Sequence, residues 1–430
     1  MNARGLVILL ALSGIGVGPA HAQRDPRVAS EVDLVTVLRL VRDASPRLSI
    51  ERQAIADAQA NRITAGVYPN PTVSYGRFQP SGSRSTLFEG GRQEQGTVEV
   101  PLLIGGQRPA RIEKAEREIE AARARVVSGA SSLGGEAASA FVALLAAQEK
   151  LASLKAGHEE LVRLRDIVAG REESGMASRY DLARLDIEVG GLRTKVNEAE
   201  ADVADQAGML AGLLGLPNWR PRASGTLAPL KLEGATLTDQ HERTLGSPAV
   251  IAAMRDEKVA QSGVEVARRE RWPALSLSAG RAWTNDPFGA ANFVGLSIEI
   301  PILDTRRGPL AKAEAEAITA GLRRELAVAE VAANLERYAN VIAARESALL
   351  RFEKDASAHL PALKQMAEDA YRLGRSSIFE LLDSTRSRHD LTQRRIDLMA
   401  ALLDAQLRYL ATSGELERKV GLAPAEPDRR

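Results

Sequence analysis

The sequence predicts a mainly α-helical protein with a small β part, built from two similar halves. Three observations predict it. Ala, Arg, Glu and Leu dominate a chain poor in aromatics, a mix that favours long helices and coiled-coil packing. Two stretches, Tyr68 to Arg108 and Trp272 to Arg307, contain runs that alternate polar and apolar residues, as strands do. Landmarks also return at a fixed distance. Gly175, Ser178 and Asp181 lie 199 residues before Gly374, Ser377 and Glu380, and Gly215 lies 199 before Gly414.

Composition removes several classes of function. The 57 Lys and Arg nearly cancel the 56 Asp and Glu, so no nucleic-acid surface is expected. Cysteine is absent, which excludes disulfides, thiolate metal sites and a cysteine nucleophile. The five histidines (His21, His158, His241, His359, His389) are scattered without ligand spacing. No cofactor, resident metal or phosphate-binding glycine loop is expected, and no nucleophile–base arrangement points to an enzyme.

At the N-terminus, Arg4, the apolar run Leu6 to Val17 and the small-x-small site Ala20-His21-Ala22 predict a signal peptide over residues 1–22. No later stretch has 18 consecutive apolar residues, so any membrane crossing must use strands.

The first half, residues 23–215, opens with an amphipathic helix over Val32 to Arg42. Ser45-Pro46 then starts a second, with Ser suited to the N-cap and Pro to the first helical position. A strand pair follows over about residues 70–101. A long helical hairpin covers about 109–214, turning at Gly175 and recapped by Ser178. Its seam runs through Ile112, Ala115, Ile119, Ala122, Val126, Ala130, Leu133, Ala137, Phe141 and Leu144, a coiled-coil spacing. Some 64 residues at ~1.5 Å each would span roughly 100 Å, too long for a compact globule. Gly134-Gly135 and Gly190-Gly191 weaken these helices locally.

Residues 216–246 read as a linker, irregular but for a helical piece near Leu237 to Leu245. The second half, 247–414, repeats the order. Ser247-Pro248 starts a helix, a strand pair covers about 273–301, and a helical hairpin covers about 308–412, its first helix unbroken to Arg372. The tail 415–430 is charged and contains proline.

In the second strand pair Val294, Leu296, Ile298 and Ile300 form one apolar face, with Gly295, Ser297 and Glu299 between them. The pattern alone leaves open a soluble sheet packed on the helices. Strands of ~9–11 residues are long enough to cross a bilayer. Tyr68, Tyr75, Phe78, Phe88, Trp272, Trp283, Phe288 and Phe293 suit interfacial girdles. Four strands cannot close a lipid-exposed barrel, so a membrane reading requires several chains to pool them.

With these features the chain resembles the TolC family of outer-membrane channels. The resemblance rests on the duplicated order, the Tyr68-Pro69-Asn70-Pro71 and Trp272-Pro273 openings, the strand exits Glu99 to Pro101 and Glu299 to Pro301, and the tip turns. Pro101-Leu102-Leu103-Ile104-Gly105-Gly106-Gln107-Arg108 looks most like the branch serving heavy-metal efflux systems of the resistance–nodulation–division type.

The resemblance implies a homotrimer with a twelve-stranded barrel in outer-membrane lipid and an α-helical tunnel in the periplasm. It also implies an equatorial collar near the linker, a periplasmic adaptor and an inner-membrane pump as partners. Glu380 and Asp383 match acidic rings that constrict the tunnel. Asp181 and Tyr371 match a lock that closes the tip. Ser376 stands where the family has a basic residue, for which Arg375 or Arg184 could substitute. From the residues alone, Asp181, Glu380 and Asp383 read equally as capping or solvated charges of a first helical turn. Two other readings stay open: a duct for drugs or secreted polypeptides, and a periplasmic coiled-coil scaffold or adaptor.

Overall fold

The first helix is set by Asp33, whose carboxylate accepts the Thr36 N–H at 2.8 Å. The computed structural model describes residues 29–79, 92–232, 237–284, 289–373 and 375–422. The expected signal peptide, Phe88, Phe288, Gly374 and the end of the tail lie outside them.

The elements run as follows: β1 (Glu31–Val32), α1 (Leu34–Ala44), α2 (Pro46–Gly66), β2 (Thr72–Phe78), β3 (Gln93–Leu102), α3 (Gln107–Glu173) and α4 (Arg179–Leu214). After these come β4 (Arg222–Ala223), α5 (Leu237–Gly246), α6 (Pro248–Arg269), β5 (Ala274–Thr284) and β6 (Ala290–Glu299). The chain continues through α7 (Arg307–Asp355), α8 (Leu360–Arg372), α9 (Ile378–Ser413) and α10 (Leu416–Lys419). The mainly helical reading with a small sheet holds.

The helix expected from Gly308 to Arg372 is broken. A 3-10 turn at Ser357–His359 separates α7 from α8. Pro361 sits in the first turn of α8 and has no N–H to give a preceding carbonyl, so the ladder cannot run through it. The matching helix α3 has no proline there and continues for 67 residues.

All ten seam residues of α3 are buried or half-buried. α3 contains an apolar window long enough to cross a bilayer, but over half of it is buried within the protein. The main core joins Val37 and Leu38 of α1, Leu133 to Ala146 of α3, Leu210 and Leu214 of α4, and Leu403, Leu407 and Leu410 of α9. Gly134-Gly135 does not interrupt α3. A Cβ on Gly135 would lie 2.7 Å from the Ala411 methyl, so this glycine permits close approach of α9.

The linker is more ordered than expected. β4 pairs in parallel with β1. Two glutamines clamp its backbone: Gln148 bonds both the N–H and C=O of Ala223, and the buried Gln406 does the same for Leu230. These long-range pairings leave no periodic signal in sequence.

Gly215 and Gly414 end α4 and α9 in the left-handed conformation, φ 73° and 77°. A Cβ on either would collide with a ring, that of Pro46 at 2.8 Å or Pro248 at 2.7 Å. The two Ser-Pro helix starts are thus the seats of the two returning helices. Ser45 makes no side-chain cap, contrary to expectation, and its buried hydroxyl has no partner. Ser247 instead donates to the Thr412 carbonyl at 2.8 Å.

The two strand pairs merge into one antiparallel sheet of order β2-β3-β5-β6. β3 and β5 pair over ten residues, from Gln93↔Thr284 to Leu102↔Leu275. β3 runs through Pro101, one residue past the expected exit. β2 stops opposite Glu99, so Pro101 has a strand on one side only, where a missing N–H is tolerated. The register sorts the faces. Val73, Val98, Ala279 and Val294 form one cross-strand row; Val100, Leu277 and Leu296 form the next on that face, followed by Leu102, Leu275 and Ile298. The opposite face carries Ser74, Thr97, Gly280 and Phe293 in one row and Thr72, Glu99, Ser278 and Gly295 in another. Val294 is 77% exposed and Leu296 70%: the apolar face is uncovered, and β2 and β6 are open edges.

Candidate functional site

Far along the chain from the sheet, two helical turns form the candidate gate. Arg171 at the end of α3 offers its carbonyl to the Met176 and Ala177 N–H groups, at 2.7 and 3.2 Å. Gly175 makes this turn possible with φ 74°. Ser178 then caps α4 in a reciprocal box: its hydroxyl accepts the Asp181 N–H at 3.1 Å, and the Asp181 carboxylate accepts the Ser178 N–H at 3.2 Å. The second turn uses Arg375 N–H to the Ala370 carbonyl at 2.8 Å, and Ser377 caps α9 by accepting the Glu380 N–H at 3.3 Å.

The two tips pack together. Leu161, Val168 and Leu185 of the first hairpin meet Ile378, Leu381 and Leu382 of the second in a small separate core, with Tyr371 against its side. Glu380 and Asp383 point the other way, both exposed, because buried positions 378, 381, 382 and 385 take the opposite face of α9. They therefore share one exposed face of one helical turn.

Asp181 and Tyr371 are not brought together within the chain. Asp181 is engaged in its capping box, and the Tyr371 ring lies under the Arg171 guanidinium at 5.3 Å. Arg184 sits 5.7 Å above the Phe379 ring and 3.9 Å from Glu188. Arg375 is exposed, and the Ser376 hydroxyl is buried without a partner. At the strand exits, Glu99 pairs with Ser278 and Glu299 with Ala274, so the register puts both on the polar face; Pro301 follows β6.

Sequence reasoning missed the bonds that join the hairpins. Arg386 of α9 clamps Glu188 of α4 through two nitrogens, and this hydrogen bond raises the Arg386 pKa further, with Asp383 adding its charge. The signal was the repeat offset, which maps Glu188 onto Ser387, beside Arg386. Deeper in, Arg388 and Lys364 converge on Glu160. Burial works to raise the Glu160 carboxyl, but Arg388 and Lys364 outweigh it and hold it below the usual range. His389 presses on Gly157, where a Cβ would lie 2.5 Å from its Nε2. Burial first, then the Arg388 charge, lower the His389 pKa. Among the described residues no group of His, Asp and Glu is arranged to hold a metal.

The stretch Pro101 to Arg108 proves to be an elbow. Gly105 admits the Trp272 side chain, Gly106 caps α3 in the left-handed conformation, and Arg108 donates to the Gly66 carbonyl at 2.7 Å while covering the Tyr68 ring. Its residues serve the sheet-to-helix turn.

Residues 37–216 match the family model described as outer membrane efflux protein. Over these residues the chain is similar to that family. It is 24% identical over 397 residues to the cobalt-zinc-cadmium resistance protein CzcC of Cupriavidus metallidurans, covering 90% of this chain and 88% of the relative. It is 27% identical over 310 residues to the nickel-cobalt-cadmium resistance protein NccC of Alcaligenes xylosoxydans xylosoxydans, covering 67% and 68%. The pyoverdine export outer membrane protein OpmQ of Pseudomonas putida is 24% identical over 423 residues, covering 91% and 88%. Among solved structures, a CusC channel superposes with a TM-score of 0.73 at 16% identity, over 91% of this chain and 92% of the other. The fold is that of TolC-like channels.

Proposed function

We propose that three copies of this chain form a passive export duct for heavy-metal cations. The sheet carries this reading. It has one apolar, uncovered face and two open edges, a combination that neither water nor lipid tolerates in a lone chain. Pairing β6 of each copy with β2 of the next gives a closed barrel of twelve strands with its apolar face to the outer membrane. The two hairpins of each copy, repeats of one unit, then build the periplasmic tunnel, and the linker with β1 and β4 forms its equatorial collar.

The tip supplies selection. Three copies of Glu380 and Asp383 make two stacked carboxylate rings, which favour cations. Asp181, Tyr371, Arg184 and Arg375 remain candidates for bonds between copies that hold the tip shut. Transport energy comes from an inner-membrane pump coupled through a periplasmic adaptor. The metal substrate is supported by the relatives named for cobalt, zinc, cadmium and nickel resistance.

A second reading, export of an organic molecule, is favoured by the pyoverdine-exporting relative. Deleting the gene separates the two. Metal export predicts lost growth on zinc, cobalt, cadmium or nickel; intact metal tolerance with new sensitivity to organic compounds overturns it. Subunit counting on the detergent-solubilised particle tests the closure: a count other than three overturns the twelve-stranded barrel.

A further inference from the structure

The helix-side end of the sheet carries charge that the fold leaves unused. Among the described residues, Arg271, Arg306 and Arg307 are exposed and make no ion pair. Nearby arginines are spent: Arg268 and Arg269 share Glu265 at 3.1 and 2.6 Å, and Arg111 meets Glu270 at 3.4 Å. Asp304 accepts the Arg306 backbone N–H at 2.9 Å, and its charge offsets only one of the three guanidiniums.

The register brings these groups to one level. Ala274 pairs with Glu299, so Arg271-Trp272 and Ile300 to Arg307 leave the same end of adjacent strands. Trp272 and Ile302 are exposed there, and Leu303 is 100% exposed. Apolar and aromatic groups thus lie where the strands end, with guanidiniums beside them. The backbone adds a second indication. Arg306 holds φ 52°, the one positive φ outside glycine among the described residues, while the first half places Gly106 at the corresponding helix start. A left-handed arginine is strained where glycine is not.

A bilayer interface matches this layout. Trp sits at headgroup level, and arginine stems lie along apolar surface with their heads in the polar layer. We propose that this end of the sheet binds anionic phospholipid of the adjoining leaflet, with Arg271, Arg306 and Arg307 on the headgroup phosphates and Trp272, Ile302 and Leu303 among the upper acyl chains. The proposal rests on the membrane-spanning reading of the sheet. Each guanidinium near an anionic surface is worth about fivefold in partitioning.

The test reconstitutes the full chain in vesicles of equal phosphatidylcholine and phosphatidylglycerol, re-extracts it in detergent and measures the retained lipid ratio. The wild type is expected to retain several-fold more phosphatidylglycerol, an excess that 0.5 M salt reduces. R271Q/R306Q/R307Q should retain the two lipids nearly equally, and R271Q/R307Q, which leaves the strained turn alone, should fall between. Equal retention by the wild type, or an excess unchanged in the triple variant, overturns the proposal. Flotation with pure phosphatidylcholine vesicles separates the two layers of argument. All variants should insert there; a wild type that inserts in neither lipid overturns the spanning reading itself.

Discussion

Replacing Gly157 by alanine tests how the two hairpins are held together. In the middle of a helix, alanine is favoured over glycine by about 1 kcal/mol. Here the new methyl would lie 2.5 Å from His389 Nε2 and 2.9 Å from its Nδ1, so α3 and α9 must separate or the ring must move. Such overpacking costs about 1–3 kcal/mol. Gly157→Ala is therefore expected to destabilise by about 1 kcal/mol net. His389→Ala removes the ring, and in that background the same Gly157→Ala should stabilise by about 1 kcal/mol. The sign reversal makes a coupling of about 2 kcal/mol between the two positions. Chemical denaturation of the detergent-solubilised protein at pH 7.5, run on all four members of the cycle, reads it. If Gly157→Ala stabilises in both backgrounds, α3 and α9 do not meet through this contact and the account of the junction is wrong.

Gly215→Ala and Gly414→Ala should each cost about 2–4 kcal/mol, since each adds a left-handed penalty to a clash with Pro46 or Pro248; denaturation midpoints measure it. Glu380→Ala with Asp383→Ala should lower cation preference and divalent-cation block in planar bilayers, while leaving stability within about 1 kcal/mol because both side chains are exposed. Tyr371→Phe keeps the ring under Arg171, so unchanged conductance is expected if that stacking is its whole role, whereas a rise would assign its hydroxyl to a neighbouring copy. Acid should loosen the hairpin junction in two stages. His389 has a lowered pKa, so below about 6.5 the unfolded chain takes up a proton that the native state declines, and stability falls. Glu160, also lowered, contributes stability above about 4.5 that is lost as pH falls further. His389→Gln should flatten the first stage and spare the second.

The helices and strands were legible because their signals are local. The α3 seam, the Ser178 and Ser377 caps and the left-handed Gly215 and Gly414 all follow from residue spacing and backbone stereochemistry. The break at Pro361 is equally local, since a proline ends the helical ladder before it. Long-range pairings were not legible. Nothing in spacing announces that Gln406 will clamp Leu230 or that β3 will pair with β5. At the tip, sequence singled out Glu380 and Asp383, but only the fold separates their exposed face from the buried one, and it ties Asp181 to a cap. The elbow adds a further lesson: Gly105, Gly106 and Arg108, read as part of a mark of substrate branch, also hold the sheet-to-helix turn.

The pairing of β3 with β5 also sets a timetable. These strands lie some 180 residues apart, so the sheet cannot close until Thr284 has emerged. Until then β2 and β3 form a lone hairpin with an uncovered apolar face, which is marginally stable at best in water. Closing so long a loop is slow, and exposed strand edges invite aggregation while it proceeds. The α2–α3 and α3–α4 packing, by contrast, is sequence-local and can form first. The order of assembly is thus written into the topology: helices early, sheet late, and the apolar face complete only when the second half of the chain has arrived.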